Sequence, residues 1–223
     1  MNEKKKRRFL PFDIAEIGIM VAVIEACKAA LMFLPNVETT TFWLIMFTLF
    51  FGWKTALVVP VFILIEGQIY GIHLWWIMYL YTWPLLVVLT RLLRRNRSAL
   101  LWAVFSGAFG LSFGALCSIP YFFIGLAGGT LQSGVVNAVT WWVAGIPWDI
   151  IHCIGNFVIM LVLYHPVRLA MIKVQKLTGR GNTEAFTAAA SVRERKENAD
   201  EDRSDRRGQL GDSACDPSEE KRS

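Results

Sequence analysis

Six apolar runs follow one another along the chain, at roughly 12–34, 39–52, 54–71, 74–93, 99–125 and 137–165. A helix needs about 20 apolar residues to cross the hydrocarbon core of a bilayer. Inside lipid, every backbone polar group must be satisfied within a helix or a closed barrel. A chain with this layout is expected to be all-α, a polytopic membrane protein of six transmembrane helices. Its mean hydropathy of +0.42 and 54% apolar residues belong to that class. The second and third runs are short and separated only by Gly52-Trp53-Lys54, which reads as a hairpin. The fifth is long enough to tilt or to be broken at Pro120.

The charges fall between the runs. Lys4 to Arg8, Lys54, the cluster from Arg91 to Arg97, and Arg168, Lys173 and Lys176 share one side of a six-span layout. The opposite loops, 34–39, 71–74 and 126–136, hold no Lys or Arg. The positive-inside rule then places both termini of a multi-pass chain in the cytoplasm. The net charge of +5 is thereby a matter of topology, with no nucleic-acid partner implied. The expected organisation is a basic cytoplasmic N-terminus (1–11), a six-helix transmembrane domain (12–172) and a polar cytoplasmic tail (173–223). No cleavable signal is read in the polybasic opening, because the apolar run after it is too long. Residues 190–223 have almost no large apolar side chains and are expected to be disordered. Cys27, Cys117, Cys153 and Cys215 show no paired spacing and read as small hydrophobes rather than disulfides or metal ligands.

The sixth run carries an expensive feature. In Gly145-Ile-Pro-Trp-Asp-Ile-Ile-His-Cys-Ile-Gly-Asn156, the residues Asp149, His152 and Asn156 are spaced i, i+3, i+7 and share one helical face, which Trp142 and Gly145 continue. Polar groups in a membrane helix turn toward protein or water, so the stripe points to an interior site. Glu66, Tyr70 and His73 share a face of the third run, and the Glu66 carboxylate needs a partner: a ligand, His73, His152 or Lys28. Trp76, Tyr79 and Trp83 are placed to stack on a flat ligand, whereas Trp75 and Trp76 also suit an interfacial aromatic belt. Asn36 and Glu38 lie in the first outer loop, where Pro35-Asn36 dictates a turn. These groups together suit a small, flat, hydrogen-bonding molecule, neutral or partly cationic.

Small residues mark two other faces. Ala22, Ala26 and Ala30, with Ala15 and Gly18, allow close approach of another helix, from this chain or from a partner. Glu25 and Lys28 border that stripe. Gly107, Gly110 and Gly114 on the fifth run read as packing positions. Chemistry of other kinds lacks its motifs: there is no His-x-x-x-His, His-Glu-x-x-His or Walker A sequence. No enzyme activity, cofactor or metal is expected, and whatever energy this protein uses must come from elsewhere.

The six-span layout, the alanine stripe, Leu34-Pro35-Asn36-Val37-Glu38, Leu64-Ile-Glu-Gly-Gln-Ile-Tyr-Gly71 and the 145–156 segment together resemble the substrate-binding S component of an energy-coupling factor (ECF) transporter, over roughly residues 10–170. The resemblance implies capture of a vitamin or related micronutrient from outside, in the plasma membrane of a prokaryotic cell. It also implies work with two cytoplasmic ATPases and a transmembrane coupling subunit, the latter contacted by Ala22, Ala26 and Ala30. It places the ligand near Asn36, Glu38, Glu66, Tyr70, His73, Trp142 and Asp149, beneath the loop after the first helix. An acidic, tryptophan-rich pocket leans toward a nitrogen heterocycle. The opening Met-Asn-Glu-Lys differs from the processed N-terminus of metal-importing members. A six-helix scaffold of cell-envelope machinery, without a ligand, is the alternative, and an intramembrane enzyme working through His152 a more remote one.

Overall fold

A computed structural model describes residues 11–178, all helical apart from short connections. The expectations for the basic N-terminus up to residue 10, for the tail beyond residue 178 and for Cys215 lie outside the described residues. Among the described residues, those from Pro11 to Val174 form one compact unit. Of a second, from Gln175, only the last helical residues to Thr178 are described.

The helices are α1 (Pro11–Ala30), α2 (Thr40–Phe51), α3 (Thr55–Tyr70), α4 (Leu74–Leu93), α5 (Ala99–Cys117), α6 (Ile119–Ala127) and α7 (Leu131–Thr178). A 3-10 turn at Gly52–Lys54 joins α2 to α3. By length and composition, four stretches are able to cross a membrane: Thr40–Tyr70, Leu74–Leu93, Ala99–Ala127 and Leu131–Lys176. This differs from the six expected runs in two ways. α1 carries Asp13, Glu16, Glu25 and Lys28 within 20 residues, too much charge for an isolated span. The second and third runs also merge into one long apolar stretch.

Within that stretch the chain nevertheless reverses. Gly52 has φ +64, open to a residue without Cβ. The start of α2 and the end of α3 then lie together, since Glu38 and Glu66 line one cavity. α3 runs parallel to α1. At one end, Lys54 Nζ reaches Asp13 Oδ1 at 2.7 Å and Glu16 Oε2 at 2.6 Å; at the other, Lys28 pairs with Glu66. Nearly every residue of α2 is buried, from Phe42 through Leu44, Ile45 and Met46 to Phe50, as suits a helix apolar all round. Two of its threonines are satisfied locally: the Thr48 hydroxyl donates to the Leu44 carbonyl at 2.6 Å and the Thr40 hydroxyl to Glu38 Oε2 at 3.3 Å. Phe62, Trp83, Leu86 and Trp102 from α3, α4 and α5 complete the core.

The fifth run divides at Ser118, with Pro120 in the first turn of α6, where a missing N–H is harmless. The last run is longer at both ends than expected. Only Gly128, Gly129 and Thr130 connect α6 to α7, because Thr130 caps the new helix: its hydroxyl oxygen accepts from the Ser133 N–H at 3.1 Å. The α6–α7 turn closes tightly through glycine. A Cβ on Gly125 would lie 2.5 Å from the Ser133 carbonyl oxygen, and one on Gly134 2.9 Å from that of Phe122. Pro147 and Pro166 lie inside α7 without ending it.

Candidate ligand-binding site

A cavity of about 430 Å³ opens at the end of the bundle where α1 and α3 finish and α2 and α4 begin. The connection 31–39 forms its rim. Leu34-Pro35-Asn36-Val37 makes a turn with the Val37 N–H donating to the Leu34 carbonyl at 3.2 Å and Asn36 at φ +55. That is the type II pattern, with proline second and a residue tolerant of positive φ third. Asn36 and Glu38 thus stand at the mouth. Glu66 and Tyr70 come from the last turns of α3, Trp75 and Tyr79 from α4, Phe113 from α5 and His152 from α7.

The rim is tied to α7. A Cβ on Gly155 would lie 3.7 Å from the Val37 methyl groups, the Asn156 amide donates to Thr41 Oγ1 at 3.3 Å, and His152 Nε2 lies 3.8 Å from Glu38 Oε1. The His152 ring meets Phe113 edge-on, 5.0 Å between centroids. Glu66 is 1% exposed and ion-paired with Lys28 through Oε2; its Oε1 has no hydrogen-bond partner, nor has His152 Nε2. A buried polar atom left without a partner costs about 1–3 kcal/mol, so these two atoms favour a molecule able to hydrogen-bond with them.

Of the residues expected at a ligand site, Asn36, Glu38, Glu66, Tyr70, Tyr79 and His152 meet at this cavity, whereas His73, Trp76, Trp142, Asp149 and Asn156 do not line it. Each departure has a local cause. α3 ends at Tyr70, and Gly71 at φ +85 turns the chain, so the helical spacing does not reach His73, which is extended and exposed. Trp76 turns to the other side of α3, where its indole N–H donates to the Ile63 carbonyl at 2.8 Å and its ring fills the space over Gly67. The cavity face of α4 is therefore Trp75 and Tyr79, with Trp83 buried beneath against Phe62, Phe109 and Phe113. Trp142 is exposed, two helical turns before Asp149.

Asp149 and Asn156 belong to a seam instead. The stripe Asp149, His152, Asn156, Met160 and Tyr164 is the buried face of α7. It meets the glycine face of α5: Asp149 Oδ1 accepts from the Gly114 N–H at 3.0 Å, and Cβ atoms on Gly110 and Gly107 would lie 2.9 and 3.3 Å from the carbonyl oxygens of His152 and Cys153. His152 is the member of the stripe that reaches the cavity as well. Phe113, Trp75 and the apolar rim residues Leu31 and Met32 also line it. The i, i+4 spacing of Trp75 and Tyr79 was the available signal for the α4 face. No protein-family model matches this chain, and neither do curated proteins or solved structures.

The small-residue stripe of α1 faces outward. Ala15, Gly18, Ala22, Ala26, Ala29 and Ala30 are all exposed, and nothing lies within 4 Å of where a Gly18 Cβ would stand. Among the described residues no three His, Cys, Asp or Glu side chains are grouped to hold a metal ion.

Proposed function

We propose that this chain is the membrane-embedded capture subunit of an ATP-driven importer of the ECF type, binding a vitamin or related heterocyclic micronutrient from the outer side. One observation carries the reading: a cavity of about 430 Å³ at one end of an apolar bundle, walled by aromatic rings and holding buried polar atoms without partners at Glu66 and His152. A cavity of this volume suits a small organic ligand. The six-span topology with cytoplasmic termini belongs to the same proposal. It takes Thr40–Tyr70 as two spans that reverse at Gly52, and α1 as a further span whose Asp13, Glu16 and Lys28 are paired inside the bundle by Lys54 and Glu66. The cavity is then on the outer side, and Lys54 and Arg91 to Arg97 are on the cytoplasmic side of a prokaryotic plasma membrane.

The exposed stripe Ala22, Ala26, Ala30 is the proposed docking face for a transmembrane coupling subunit, which works with two ATPase subunits. The test is mass spectrometry of small molecules released from the purified full chain after growth in rich medium. A stoichiometric heterocycle that is absent from Glu66→Gln is the expected result. A chain that folds, carries nothing and binds none of the heterocyclic vitamins removes the capture reading.

A further inference from the structure

Lys28 projects from the last turn of α1 into a box of aromatic rings. Its ammonium lies 5.7 Å from the Phe62 centroid, 5.4 Å from Tyr70 and 5.7 Å from Tyr79, while it pairs with Glu66. Phe62 and Tyr79 are stacked with an interplanar angle of 15° and centroids 6.3 Å apart. Rings at these distances attract a cation through their negative faces, and such boxes bind quaternary ammonium groups well because those cations shed water cheaply. A primary ammonium is strongly hydrated and a poorer fit to the same box. Lys28 also keeps a partly exposed side chain at the mouth, so water is within its reach.

The charge count around the box leans the same way. Lys28 is the one Lys or Arg among the residues lining the cavity, against the carboxylates of Glu38 and Glu66. Glu25, one turn earlier on α1, lies beside Glu66. An anionic ligand would meet this acidic surplus, and a neutral ring would leave the box held by lysine.

We infer that the ligand is a flat organic cation, its charge carried on a heteroaromatic ring or a quaternary nitrogen, which takes the place of the Lys28 ammonium between Phe62, Tyr70 and Tyr79 and against Glu66. This rests on the capture reading and narrows it to a charge class. Lys28 is then an internal competitor that keeps the buried carboxylate neutralised while the cavity is empty and swings to the mouth when it fills.

Three molecules sharing one ring frame test the charge class: 1-methylnicotinamide (cation), nicotinamide (neutral) and nicotinate (anion), titrated calorimetrically into the full chain in lipid nanodiscs. The cation is expected to bind at least about tenfold more tightly than nicotinamide, and nicotinate more weakly than either. Lys28→Met removes the competitor and is expected to tighten the cation about fivefold or more. Should that variant misfold with Glu66 left unpaired, Tyr70→Leu, at a half-exposed position, is the second reading. It is expected to weaken the cation about fivefold and leave nicotinamide unchanged. Equal or tighter binding of the neutral or anionic ring, absence of cation binding, weaker cation binding by a folded Lys28→Met, or cation affinity untouched by Tyr70→Leu each overturns the inference. A neutral or anionic metabolite bound stoichiometrically to the purified chain overturns it while leaving the capture reading in place. A chain that holds no metabolite and binds none of the three rings or the vitamins ends both.

Discussion

Two parts of this molecule bury polar side chains in an apolar bundle, and they end differently. Along the α5–α7 seam, Asp149 and Asn156 meet glycine: the backbones approach so closely that a Cβ on Gly110 would lie 2.9 Å from the His152 carbonyl oxygen, and Asp149 Oδ1 is held by the Gly114 N–H at 3.0 Å, while Asp149 Oδ2 and Asn156 Oδ1 stay without hydrogen-bond partners. At the cavity, Glu66, Tyr79 and His152 meet aromatic rings and a turn-rich rim, which cannot close on one another, and about 430 Å³ stays open. The same chemical signal, a polar stripe on an apolar helix, therefore marks a helix contact in one place and the wall of an open cavity in the other. The difference lies in the opposing face. Small residues let a stripe be consumed by packing; bulky planar ones hold it apart.

The sharpest way to break this contrast is to put bulk into the seam. Gly110→Leu is expected to destabilise the chain by about 3 kcal/mol or to prevent α7 from docking, because even its Cβ would meet the Asn156 amide at 2.8 Å and the His152 carbonyl oxygen at 2.9 Å. Thermal unfolding in detergent measures this, and an unchanged midpoint would show the seam to be loose. Glu66→Gln comes next, with ligand affinity expected to fall at least about tenfold and the fold retained, since the amide keeps the shape and loses the charge. Equilibrium binding of the co-purified metabolite reads it. Asp149→Asn sharpens the contrast further. Its amide oxygen still accepts from Gly114, so a stability loss of about 1 kcal/mol and a ligand affinity within about twofold are expected. A loss of binding as large as that of Glu66→Gln would merge seam and cavity into one site. The smallest effect belongs to Tyr164→Phe, which gives up the bond from the Tyr164 hydroxyl to the Arg97 carbonyl at 3.2 Å and is expected to cost about 0.5–1 kcal/mol. Outside both regions, Ala26→Trp on the exposed face of α1 is expected to leave folding and ligand affinity unchanged while abolishing co-purification with a coupling subunit.

The helical character and the apolar stretches are legible in the sequence because lipid-compatible runs leave so few options. Helical spacing also groups Asp149, His152 and Asn156 correctly on one buried face. What spacing cannot supply is the neighbour. Nothing in the 145–156 segment says that Gly110 and Gly114 oppose it, so Asp149 reads as a ligand residue when it is bonded to the backbone of α5. His73 fails for a different reason. A periodicity argument carries through Gly71 as if the helix continued, but the positive φ of that glycine ends it. Trp76 shows a third limit, because Gly67 provides a slot on the far side of α3 that draws the indole away from the cavity. Lys28 is one of several possible partners for Glu66 in the sequence, and only the parallel course of α1 and α3 selects it.

α7 has 48 residues, a rod of about 72 Å at 1.5 Å per residue, more than twice the roughly 30 Å of a hydrocarbon core. Its two prolines, at positions 147 and 166, are 19 residues apart (166 − 147), or about 28 Å. That interval holds the face running from Asp149 to Tyr164 and matches the thickness of the lipid core. Each proline leaves the carbonyl four residues earlier, Val143 and Val162, without its helical donor, so stiffness drops at both edges of the docked section. The two prolines thereby bracket the docked section of the helix, which gives up one backbone hydrogen bond near each of its edges.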